Sequence, residues 1–147
     1  MDGKDDGFTL VELLVVIIIV GILAAIAVPL YLGQRDKGYD AAARSDLRNI
    51  ATYEESVASS GGGYLPTTAA NVFAPGEGRR FEPSAGVRTV VGVDGARGYC
   101  AVALSRSGAY HVWDSNGGGL QDRFDRKPES SDFRAGACRT ALPASIP

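Results

Sequence analysis

Residues 7–33 read GFTLVELLVVIIIVGILAAIAVPLYLG, and this stretch decides the fold of the 147-residue chain. From Phe8 to Gly33 its only formal charge is Glu12. A helix needs about 20 apolar residues to cross a bilayer core, so residues 8–33 are long enough to span one. The β-branched run from Val15 to Val20 does not oppose a helix, because lipid offers an unpaired backbone group no partner. Pro29 lacks a backbone donor and is expected to kink or loosen the helix near its far end. Gly21 and Gly33 add points of weakness or close approach. Glu12 is the anomaly, since a charged side chain costs about 2.5–3.5 kcal/mol at the centre of a span. It lies about 6 Å along the axis from Phe8. Either it sits in the headgroup region or it has a partner.

Ahead of this stretch, residues 1–7 (MDGKDDG) form a short polar leader in which Lys4 is outnumbered by Asp2, Asp5 and Asp6. A secretory signal wants a positive n-region instead, and the positive-inside rule finds little here to act on. A competing processing site is Ala25-Ile26-Ala27, small residues at the end of an apolar run. Cleavage there would release a secreted domain beginning at Val28.

Gly7-Phe8-Thr9-Leu10-Val11-Glu12, followed by an unbroken apolar run, resembles the class III signal of type IV pilins and type II secretion pseudopilins. The resemblance implies a prepilin peptidase that cuts after Gly7, and methylation of the new Phe8 amine. It implies that Glu12 meets the N-terminal amine of a neighbouring subunit, a pairing that offsets its desolvation. Pro29 falls where such pilins carry a helix-loosening proline. The implied life history is a single-pass precursor in the cell membrane, then a homo-oligomeric filament on the cell surface, with an inner-membrane assembly platform as a further partner. The resemblance is specific over residues 7–33 and architectural beyond them.

Composition narrows the remaining possibilities. A net charge of −2 and a pI near 5.3 give no basic footprint for nucleic acid. DNA contact would need a local patch from Arg79, Arg80, Arg88, Arg97, Arg123, Arg126 and Lys127, which are dispersed among acids and read as a solvated face. The only cysteines, Cys100 and Cys138, lie downstream of the apolar run, consistent with an oxidising compartment on that side. Two cysteines allow one pairing, and the alternative is two buried thiols. A bridge closing so long a loop is worth roughly 4 kcal/mol in the chain-entropy model, and it resembles the disulfide-bounded C-terminal region of type IV pilins. His111 is the only histidine and there is no C-x-x-C, so no metal-ligand spacing exists. No G-x-S-x-G elbow, phosphate-cradling loop or His-anchored dyad is present. The expectation is no enzyme, no cofactor and no metal.

Residues 34–60 continue as an amphipathic helix with Tyr39, Ala43, Leu47, Ile50 and Val57 at helical spacing. Asp40 and Arg44 form an i,i+4 pair on it, with Arg48 and Glu55 on the wetter side. Ser59-Ser60-Gly61-Gly62-Gly63 stops it. Residues 61–147 make the head. A loop over 64–86, broken by Pro66, Pro75 and Pro83, is anchored by Phe73 and Phe81. Strands follow at 87–93, 98–105 and 109–114, with turns at Asp94-Gly95 and Ser107-Gly108. Alternation sets Cys100, Val102 and Leu104 on one face of the second strand, and Tyr110 and Val112 on one face of the third. Those faces are expected to pack on the helix. His111 and Trp113, opposite, are expected at the surface or a subunit interface. The tail over 115–147 is ordered only if the bridge ties it down. Asp114-Ser115-Asn116-Gly117 with Asp122 is incomplete as a calcium loop and reads as a turn.

The expected class is therefore α+β: a long N-terminal helix, half membrane-type and half amphipathic, on a small antiparallel sheet. The expected function is a pilin that polymerises through that helix. The alternatives are a pseudopilin of a secretion or DNA-uptake machine, and a tethered or secreted binding domain that forms no filament.

Overall fold

A computed structural model describes residues 7–64, 66, 81–95, 97–144 and 146. The leader before Gly7, the expected anchor Phe73, and Arg79 and Arg80 lie outside them. The chain divides into two compact units, Met1–Arg35 and Asp36–Pro147. Helix α1 spans Leu10–Ser59, 50 residues, and the assignment runs unbroken through Pro29.

In the first unit α1 is apolar on every side and covered by nothing, from Leu10, 78% exposed, to Leu32, 43% exposed. A helix that is hydrophobic all round belongs in lipid or among other apolar helices. In the second unit α1 buries one face: Asp40, Ala43, Asp46, Leu47, Ile50, Ala51 and Glu54. Ala43, Leu47 and Ile50 are the residues that periodicity selects. The three carboxylates on the same face are not.

Strands β1 (Arg88–Val93), β2 (Tyr99–Leu104), β3 (Tyr110–Asp114) and β4 (Gly119–Leu120) form one antiparallel sheet in chain order. The expected meander is thus present, and β4 extends it by two residues. Gly108 at the β2–β3 turn has φ +91, a conformation that favours glycine.

The sheet has two covered faces, and their partners reverse the expected order. Val91, Tyr99, Ala101, Ala103 and Trp113 pack with Ala43, Leu47, Ile50 and Ala51 of α1. Val90, Cys100, Val102 and Val112 pack instead with Phe133, Cys138, Ala141 and Ile146 of the tail. Ala101 and Ala103, both fully buried, leave room for the bulk of a helix, whereas the valine face receives single side chains from the tail. The Cys100–Cys138 disulfide fastens the tail to that second face. Beyond the sheet the tail forms a 3₁₀ turn, Ser130–Asp132, and a short helix α2, Ala137–Thr140.

Candidate functional site

The helix start explains how a carboxylate is accommodated in an apolar segment. Thr9 stands at the N-cap of α1 and Glu12 three residues on. The Thr9 backbone N–H and the Thr9 hydroxyl each donate to Glu12 Oε2 at 2.8 Å, while the Glu12 N–H donates to Thr9 Oγ1 at 3.2 Å. This is a capping box, which satisfies orphan donors of the first turn reciprocally. The T-x-x-E spacing carries that signal, so Thr9 was findable in the sequence beside Glu12. Phe8 lies just outside the helix, 82% exposed, and Gly7 precedes it outside any helix or strand. Gly7, Phe8 and Glu12 therefore cluster at one end of the segment, and Pro29 lies inside the helix near the other.

Within the second unit, Asp40 departs from its expected role. Its carboxylate turns inward: Oδ1 accepts from the Ser107 hydroxyl and faces His111 Nε2 at 3.5 Å, while Oδ2 lies 3.4 Å from Arg123 Nε. Arg44 reaches only the Asp40 carbonyl oxygen, at 3.3 Å. The helix pair gives way because the turn after β2 supplies a closer donor. His111 is correspondingly buried at 3% exposure and Trp113 is half-buried against α1. Neither is a free surface group.

Asp114 is fully enclosed. Its Oδ1 accepts from the backbone N–H groups of Asn116, Gly117 and Ala137, and its Oδ2 from that of Cys138, at 2.7–3.0 Å. A carboxylate so surrounded organises a turn, and Asp122 is exposed outside it. Arg123 contacts Asp40 and Asp125, and Arg126 pairs with Asp132.

The model of the prokaryotic N-terminal methylation motif matches residues 3–28. The type IV major pilin protein PilA of Myxococcus xanthus is 35% identical over 78 residues, 53% of this chain and 36% of that protein. The type IV wide pilus major component PilA4 of Thermus thermophilus is 31% identical over 107 residues, which cover 73% of this chain and 77% of the relative. The chain belongs to the family of type IV pilins and pseudopilins. Its pseudopilin side is also represented: the type II secretion system core protein G of Dickeya chrysanthemi is 28% identical over 132 residues, 85% of this chain and 86% of the relative. The family consists of structural subunits, and a candidate membrane span with a mean hydropathy of 3.2 in α1 fits a precursor anchored by it.

Proposed function

We propose that this chain is a structural subunit that polymerises through its N-terminal helix into an extracellular type IV pilus. The observation that carries the reading is the apolar, uncovered stretch over residues 8–33 whose one charge, Glu12, sits at the helix start beside Phe8. Lipid satisfies such a surface in the precursor, and copies of the same helix satisfy it afterwards. Repeated heterologous contacts of this kind generate an open helical polymer.

On this reading a prepilin peptidase cuts after Gly7 and the Phe8 amine is methylated. Residues 8–33 then form the filament core, while 34–60 and the head over 61–147 cover it. Glu12 pairs with the terminal amine of a neighbour, which compensates a carboxylate that lipid alone would penalise. Pro29 has no N–H to close the helical ladder, which makes the helix locally yielding during extraction from the membrane. An inner-membrane assembly platform receives the subunits.

The second reading is a pseudopilin, favoured by the long alignment with the Dickeya protein. It uses the same N-terminus for a short filament. Electron microscopy of cells producing the native chain or Glu12→Val tests both. Long surface fibres that vanish with Glu12→Val support the pilin; normal fibres in the variant exclude the pairing role of Glu12. Absence of fibres in either strain, with Phe8 as the mature N-terminus by mass spectrometry, supports the pseudopilin.

A further inference from the structure

Gly92, Cys100 and Asp114 form one row across three strands, Gly92 opposite Cys100 and Cys100 opposite Asp114. All three project to the sheet face covered by the tail, and each meets α2 or its flank. A side chain at Gly92 would collide with the Ala141 carbonyl. Cys100 is bonded to Cys138. Asp114 accepts from the N–H groups of Ala137 and Cys138, at 2.7 and 2.9 Å, and from those of Asn116 and Gly117 on its own turn. Cβ atoms at Gly117 or Gly136 would strike the same carboxylate, so the chain closes around it on two sides.

We propose that Asp114 is a positioning residue for disulfide formation: it docks residues 137 and 138 on the sheet while the cysteines are still thiols, and so presents Cys138 to Cys100. Hydrogen bonds to an ionised acceptor are the stronger class, and a carboxylate buried at 1% exposure without its donors would be costly. The contact therefore forms with the native sheet and does not wait for the covalent bond. Oxidation then removes two protons and two electrons from the thiols as one S–S bond forms. A disulfide oxidant such as oxidised glutathione accepts the two protons and two electrons and is reduced to two thiols.

The test equilibrates the full chain in detergent micelles with mixtures of reduced and oxidised glutathione, traps free thiols by alkylation, and reads the intramolecular disulfide equilibrium. Asp114→Ala is expected to lower that equilibrium by on the order of 10- to 100-fold, two charge-assisted bonds to the tail being lost. Asp46→Ala is the control. It removes a buried carboxylate that holds Ser84 on the helix side, at 2.8 and 2.9 Å, and should leave the equilibrium within about threefold. In strong urea all three chains should coincide. An Asp114→Ala value within about twofold of the native chain, or an Asp46→Ala value that falls equally far, overturns the proposal. Hydrogen exchange on Cys100→Ser/Cys138→Ser, with Asp114 intact, gives a readout that needs no change at position 114. Protected amides at 137 and 138 support docking ahead of the bridge, and unprotected ones exclude it.

Discussion

Burial disfavours the charged form of His111. Desolvation lowers its pKa from the ordinary 6.5, the Asp40 carboxylate 3.5 Å away pulls the other way, and the charges of Arg44 and Arg123 lower it further. For Asp40, burial raises the pKa, but the hydrogen bond from Ser107, with Ser105 and His111 close by, leaves it below the ordinary 3.8. In both cases the unfolded chain binds the proton more readily than the folded one, so each group destabilises the fold as pH falls. The His111 contribution is present above about pH 6.5 and is lost below it; the Asp40 contribution is present above 3.8 and is lost as pH falls through the lower folded value. His111→Gln should therefore flatten the dependence of the urea midpoint between about pH 7 and 5 while leaving the steeper loss below about pH 4. An unchanged slope in the upper range would show that His111 titrates as it does in the unfolded chain. Asp40→Asn should act at the lower end and remove the group that favours protonated His111, so its midpoint should stay sensitive near neutrality.

At the scale of elements, the decisive contact is α1 against the alanine face of β2. Leu47 is fully buried there, and Leu47→Ala should cost about 2–5 kcal/mol in urea denaturation. Ala101→Leu, inserted under the helix, should cost about 1–3 kcal/mol by overpacking. Both helix halves and the three long strands were legible in the sequence because hydrophobic periodicity is local. Which sheet face meets the helix was not, because Val90, Val102 and Val112 on one side and Val91, Ala101 and Ala103 on the other are all apolar and buried. Alternation separates the two sets without assigning partners. Asp40 and Asp46 escaped for a related reason: their donors, Ser107 and Ser84, lie 67 and 38 residues away, and a helical wheel places a carboxylate in water by default. β4 has two residues and no periodicity to read. At the N-terminus, by contrast, the whole Gly7–Glu12 constellation was local and legible, and even the unnoticed Thr9 cap follows a four-residue pattern.

At the scale of the whole molecule, the two units have opposite relations to solvent. Among the described residues, every buried apolar one lies at Ala43 or beyond, while the large apolar side chains of residues 8–32 are exposed. An uncovered apolar surface of that extent drives association in water, so the full chain should require detergent or lipid. Residues 36–147 contain both core clusters, the disulfide and all four strands. Starting the chain at Asp36 also leaves acidic Asp36 in the first turn of the shortened helix, where it favours the helix dipole. The helix gains its stability there from packing Leu47 and Ile50 rather than from length, so loss of the preceding turns removes little. The chain lacking residues 1–35 should accordingly be a soluble monomer that forms no filaments. Its urea midpoint should match that of the full chain in mild detergent within about 15%. A truncated chain whose near-ultraviolet circular dichroism shows no fixed tertiary structure would mean that the head draws on the first unit to fold, and would overturn the division of labour argued here between an assembling helix and a self-sufficient head.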